Sequence, residues 1–173
     1  MAYYRCLEGN GGGGSPIQIT SNGTVLDYDF WHGLEATKTN FNCVFSDYCL
    51  YNSNIVEEVC AYLQTASGYE GFCFKCKDGL NLTVGSNYNL SFDLEVPNGI
   101  TINPTDYRFG IKHSSSQISN FNTTTDQDFT RQTGTQTVSF TFTAAANNYF
   151  SIIVSACTSG SGLLRLRNIK ITP

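Results

Sequence analysis

Two pairs of carboxylates stand at i,i+2 spacing, Asp27/Asp29 and Asp93/Glu95. On a strand such residues share one face about 7 Å apart, a separation at which an acid and a base could cleave a glycosidic bond. A solvated strand face asks less of the same residues. The acids would then pair across strands with Arg108 or Lys112, and that reading is preferred. Nucleophilic chemistry has little material. The chain has two histidines, His32 and His113, and no G-x-S-x-G sequence, which restricts any Ser-His-Asp or Cys-His site. His113 precedes Ser114-Ser-Ser116 and reads as a loop residue, while His32 follows Trp31 at a strand end. Catalysis is not expected.

Cysteine is the other reactive type. The seven cysteines include Cys73-Phe-Lys-Cys76, a spacing used by zinc sites and redox centres. Neither a second such pair nor a histidine at ligand spacing accompanies it, and its surroundings read as a strand. Positions 73 and 76 then point to opposite faces, so buried free thiols are expected and no metal site. The opening, Met1-Ala-Tyr-Tyr-Arg-Cys-Leu-Glu8, lacks the apolar run of a signal peptide, which predicts synthesis in a cytosol that keeps thiols reduced. Gly9 to Ser15 lacks the Lys-Ser/Thr end of a phosphate-binding loop and reads as a linker.

The elements that must carry these residues are strands. Of 173 residues, 40% are hydrophobic, 13% aromatic and 14% charged, where ordinary soluble domains run near about 25% charged. Twelve Phe and ten Tyr can fill one core, so a single domain over residues 16–173 is expected. Net charge −4 argues against a nucleic-acid partner, and the lack of a long apolar run against a membrane span. Residues 129–173 carry Arg131, Arg165, Arg167 and Lys170 and no acid, which reads as cations on solvated faces. Tyr88, Leu90, Phe92, Leu94 and Val96 alternate with polar residues, as do Val138, Phe140 and Phe142. Phe150, Ile152, Val154 and Ala156 form a third such run, and Tyr107, Phe109 and Ile111 a fourth. Period-2 alternation marks antiparallel strands with one face on a core. Leu164 and Leu166 are out of phase with Ile169 and Ile171, which predicts a β-bulge near Arg167–Asn168. Residues 54–64 fit helical spacing as well as strand alternation, and the β surroundings favour strand. The expected fold is all-β, an antiparallel jelly-roll β-sandwich behind a short Gly-rich N-terminal arm of residues 1–15.

Leu80-Asn-Leu-Thr-Val-Gly-Ser-Asn-Tyr-Asn-Leu-Ser-Phe-Asp-Leu94 resembles the G-x-x-Y-x-L-S-F strand of carbohydrate-binding modules of the family 4 and 9 kind. Thr137-Val-Ser-Phe-Thr-Phe-Thr-Ala144, Tyr149-Phe-Ser-Ile-Ile-Val154 and Leu166-Arg-Asn-Ile-Lys-Ile-Thr172 resemble their later strands. The resemblance covers roughly residues 80–172 and implies a jelly roll that binds glycans. That closing strand often carries an acid where this chain has Arg167-Asn168, so the structural calcium the family implies is not expected, nor is any cofactor. The Tyr- and Cys-bearing opening ahead of a Gly-rich stretch resembles virion proteins of bacteriophages and prophages.

Glycan binding needs an aromatic plane beside amide, carboxylate or guanidinium groups. The candidates are Trp31, Tyr62, Tyr107, Arg108 and Asp93, with the site expected near Trp31 and the Tyr107–Arg108 strand. Tyr3, Tyr4 and Leu7 ahead of the linker are expected to dock the arm onto other virion proteins. The resemblances together imply a virion accessory protein, a capsid decoration or tail or fibre component, made in the host cytoplasm and displayed on the virion surface. A secreted or enzyme-appended module and a purely structural decoration are the alternatives. A homo-oligomer, a trimer, is expected.

Overall fold

A computed structural model describes residues 23–25, 31–35, 58–65, 70–76, 79–105, 108–116 and 124–173. Tyr3, Tyr4, Leu7, the Asp27/Asp29 pair and Tyr107 lie outside the described residues. Among the described residues ten strands follow one another in chain order: β1 Thr24–Val25, β2 Trp31–Glu35, β3 Glu58–Thr65, β4 Glu70–Cys76, β5 Asn87–Val96, β6 Thr101–Ile102, β7 Phe109–Ser114, β8 Gln127–Asp128, β9 Gly134–Thr143 and β10 Tyr149–Thr172. No helix occurs among the described residues, and every pairing is antiparallel. The expected all-β sandwich is the fold observed. Residues 58–64 are strand, as their β surroundings indicated.

β10 organises both layers. Its first half lies between β4 and β7 in sheet B, where β2 flanks β4 and β8 flanks β7. Its second half lies in sheet A, with β3 and β1 on one side and β5 on the other, and β9 beyond β5. The strand changes sheet at residues 154–160, where its register shifts against β4 and β6. Gly160 sits at this corner with φ 105°, and a Cβ there would run into the Gly99 carbonyl oxygen. Only glycine meets both demands.

The alternating runs supply the core. Along β5, Tyr88, Leu90, Phe92, Leu94 and Val96 are buried beside Val138, Phe140 and Phe142 of β9, and they share one cluster with Phe150, Ile152 and Val154 of β10 in the other sheet. Phe129, at the corner joining β8 to β9, meets Phe92 and Phe109 edge-on at 5.8 and 5.9 Å and so bridges the sheets. Burying a side chain of this size stabilises by about 1.5–3 kcal/mol, so this corner is anchored rather than draped.

Two expectations are corrected. His113 is not a loop residue: it ends the inward row of β7, with its ring 4.6 Å from that of Phe142 and 5.3 Å from that of Phe150. Its Nε2 lies 2.9 Å from Oδ1 of Asn148. Asn148 is fully buried, and its amide also donates to the Leu80 and Ala145 carbonyls. This polar knot could not be left unpaired inside the sandwich, and it draws the histidine in. The second correction concerns β10, where Ser151 and Ile153 are buried as well as the inward Phe150, Ile152 and Val154. Sheet B is closed on both faces there.

Candidate functional site

The outer face of sheet A carries rows of polar side chains linked across neighbouring strands. It begins with the polar half of β5, Asn87, Asn89, Ser91, Asp93 and Glu95, lying opposite Thr143, Thr141, Ser139, Thr137 and Thr135 of β9. Cross-strand hydroxyls donate to the acceptors: Thr143 to Asn87 Oδ1 at 2.9 Å, Ser139 to Asn89 Oδ1 at 2.8 Å, and Thr137 to Asp93 Oδ1 at 2.7 Å. On the other side of β5, Glu95 accepts from Arg165 at 2.8 Å and pairs with Arg167 at 3.0 Å.

The bulge foreseen from the phase of the leucines and isoleucines is present. The β10–β5 register shifts between Arg167↔Asp93 and Lys170↔Ser91, and Asn168 adopts φ 52°. That left-handed conformation is tolerated by Asn better than by most residues. Its consequence is chemical. Arg167 and Asn168, although adjacent, both reach the outer face, and Asn168 Nδ2 donates to Asp93 Oδ2 at 2.6 Å. Asp93 is thereby held from both neighbouring strands, at Oδ1 by Thr137 and at Oδ2 by Asn168. The ion-pair side chains remain 26–35% exposed, and such pairs are worth only about 0–1 kcal/mol each. Their role is to fix directions for hydrogen bonding more than to hold the fold.

The structure divides the sequence-based candidates between the two sheets. Asp93 lies at the centre of this face. Tyr62 lies in β3, where its backbone pairs with Leu163 of β10. Trp31 opens β2 in sheet B, paired with Cys76, and exposed Arg108 precedes β7 across that sheet. Their separation is three strand spacings and five residues of rise, roughly 22 Å, so one small ligand does not span both. The Asp93/Glu95 pair was expected to meet Arg108 or Lys112. Instead Arg165, Arg167, Asn168 and Thr137 hold it, and Lys112 pairs with Asp126 at 2.7 Å. The site residues missed from sequence are thus Glu95, Arg165, Arg167, Asn168 and Thr137. Their only sequence signals were the carboxylate spacing, the late cluster of cations and the bulge.

The cysteine pair divides as expected. Cys73 and Cys76 are both buried. Cys76 belongs to the core, where Phe150 N–H approaches its Sγ at 3.1 Å, while Cys73 lies on the opposite face of β4. Burial pushes the Cys73 thiol up to about 12, against the opposing influence of Lys75 and Ser151. A thiol so held is no nucleophile near neutral pH. Among the described residues no group of three or more His, Cys, Asp or Glu is placed to hold a metal ion.

No protein-family model matches the chain, and no curated protein matches it. Two solved structures are similar in backbone trace. One, described as "BiXyn10A CBM1 APO", is 14% identical with TM-score 0.49, covering 86% of this chain and 95% of its own. Another, described as "CBM4 structure and function", is 17% identical with TM-score 0.48, covering 85% of this chain and 88% of its own. At these identities no individual residue of either carries over to this chain.

Proposed function

We propose that this chain is a non-catalytic, carbohydrate-binding-module-like sandwich that holds glycans against the outer face of sheet A around Asp93. The observation that supports the reading is the Asp93 cluster itself. A bulge brings Asn168 out beside Arg167, so that carboxylate, amide, guanidinium and hydroxyl groups stand fixed on one open strand face. Sugar hydroxyls are recognised by planar groups of this kind, which offer paired donors or acceptors in set directions. Trp31 and Arg108 are set apart on sheet B, and we assign them no part in this contact. The sequence resemblance of residues 80–172 to carbohydrate modules points the same way.

The setting we propose is the surface of a bacteriophage virion, as a capsid decoration or a tail or fibre component attached through Tyr3, Tyr4 and Leu7. Its support is the sequence of the arm. Deleting residues 1–14 should then leave the sandwich folded and abolish incorporation into particles. The glycan reading is tested by a glycan array probed with a multivalent form of the protein. Single-site affinity should be weak, about 0.1–1 mM, and many copies are needed for retention. Retention of a glycan class by the parent chain, lost in Asp93→Ala, supports the reading. If no glycan is retained, the sandwich is a decoration or spacer.

A further inference from the structure

β9 is the outermost strand of sheet A. It pairs with β5 over all ten residues without a bulge, and among the described residues no strand pairs with its other side. The direction of its backbone groups can be read from its ends. Ala144 donates to the Ser86 carbonyl and accepts from Gly85, so it faces the β5 side. Backbone direction alternates along a strand, and the odd residues, Thr135, Thr137, Ser139, Thr141 and Thr143, therefore turn their N–H and C=O groups outward. The Ser139 carbonyl agrees, because Gln127 Nε2 donates to it at 3.3 Å. Edge strands of this length are usually guarded by lysine, proline, a bulge or short extent. Gly134–Thr143 contains no charged residue and no proline.

We propose that β9 pairs antiparallel with β9 of a second copy of this chain, about a two-fold axis at Ser139. That register sets Thr137 against the partner's Thr141 and Thr135 against the partner's Thr143. Cross-strand hydroxyl pairs of this kind are favourable, and the strand brings no charge to the axis. The Asp93 carboxylates of the two copies lie three strand spacings and four residues of rise apart, roughly 20 Å and well beyond about one Debye length, and those of Glu95 lie farther still. A net charge of −4 therefore does not oppose the contact locally. Gln127 donates to the Ser139 carbonyl, whose second lone pair can still accept from the partner. The axis stands perpendicular to the sheet, so both Asp93 faces look the same way. Where those faces bind glycan, as proposed above, the pair is bivalent; the pairing itself does not depend on that reading. The symmetry is two-fold, in place of the trimer expected from the sequence.

Sedimentation equilibrium of the full chain without sugar, over a wide concentration range, tests the proposal. Thr141→Pro removes an outward N–H without touching the β5 ladder, and Ser139→Lys sets two ammonium groups directly opposite each other at the axis. The parent chain should form dimers, and each variant should weaken them by about tenfold or more while keeping the parent circular dichroism and unfolding midpoint. Amide exchange at Thr137, Ser139 and Thr141 should slow as concentration rises. A chain that stays monomeric, or dimers that both variants leave intact with those amides unprotected, would overturn it.

Discussion

Along β10 the outward residues of the first half, Ser151 and Ile153, are sealed from solvent, while those of the second half, Arg165, Arg167 and Asn168, stand half-buried or exposed. The two halves belong to one strand and are central in both sheets, yet they build opposite surfaces. On sheet B, Cys73, Ser151 and Ile153 form a face with little hydrogen-bonding demand, which can be covered at small cost. On sheet A, covering the Asn, Asp, Glu, Thr and Arg rows would strand many polar groups. What separates a closed face from an open one is thus the residue type at every second position, set by the pleat.

The contrast is broken most sharply by Ile153→Ala. If the outer face of sheet B is closed in solution, the substitution should cost about 2–5 kcal/mol in urea unfolding, as for a core position. A loss of only a few tenths would mean that the face is open. A second probe is pH. The Cys73 thiol is held near 12 against an ordinary 9.0, so the folded state keeps a proton that the unfolded chain releases. Stability from this group is complete below pH 9.0 and is lost as pH rises towards 12, at ~1.4 kcal/mol per unit. Unfolding midpoints should fall less steeply above pH 9.0 in Cys73→Ala than in the parent chain. Equal slopes would place the thiol in contact with water.

The bulge offers a smaller effect. Asn168 at φ 52° should accept glycine within a few tenths of a kcal/mol, whereas Asn168→Val should cost about 1–2 kcal/mol through the left-handed backbone. Identical costs for the two would mean that the turn relaxes to an extended form. Smallest of all is Thr141→Ala on the open face of sheet A, which should leave unfolding unchanged within about 0.5 kcal/mol. A larger loss would show the hydroxyl ladder to be structural.

How far the sequence reached follows from which interactions are local. The alternation in β5 and β9 and the phase slip between Leu166 and Ile169 were legible because a strand has period 2 and a bulge shifts it by one. The partners of Asp93 and Glu95 were not. Arg165 and Asn168 lie about seventy residues downstream, and antiparallel pairing over that distance is decided by topology rather than by local spacing. Trp31 and Arg108 were grouped because both residue types suit a sugar; the register sets them at opposite ends of sheet B. His113 was misplaced because Ser114-Ser-Ser116 signals a turn, while the Asn148 amide that draws it inward stands 35 residues away.

The central claim is that the Asp93 face of sheet A, not the Trp31–Arg108 side of sheet B, meets the glycan. Retention on a glycan array by matched multivalent forms of the parent chain, Asp93→Ala, Arg167→Ala, Trp31→Ala and Arg108→Ala tests it most directly. Circular dichroism is used to confirm that each is folded. The expected result is that the first two variants lose retention about tenfold or more while the last two keep it. Retention that survives Asp93→Ala and Arg167→Ala but fails with Trp31→Ala or Arg108→Ala would contradict the account.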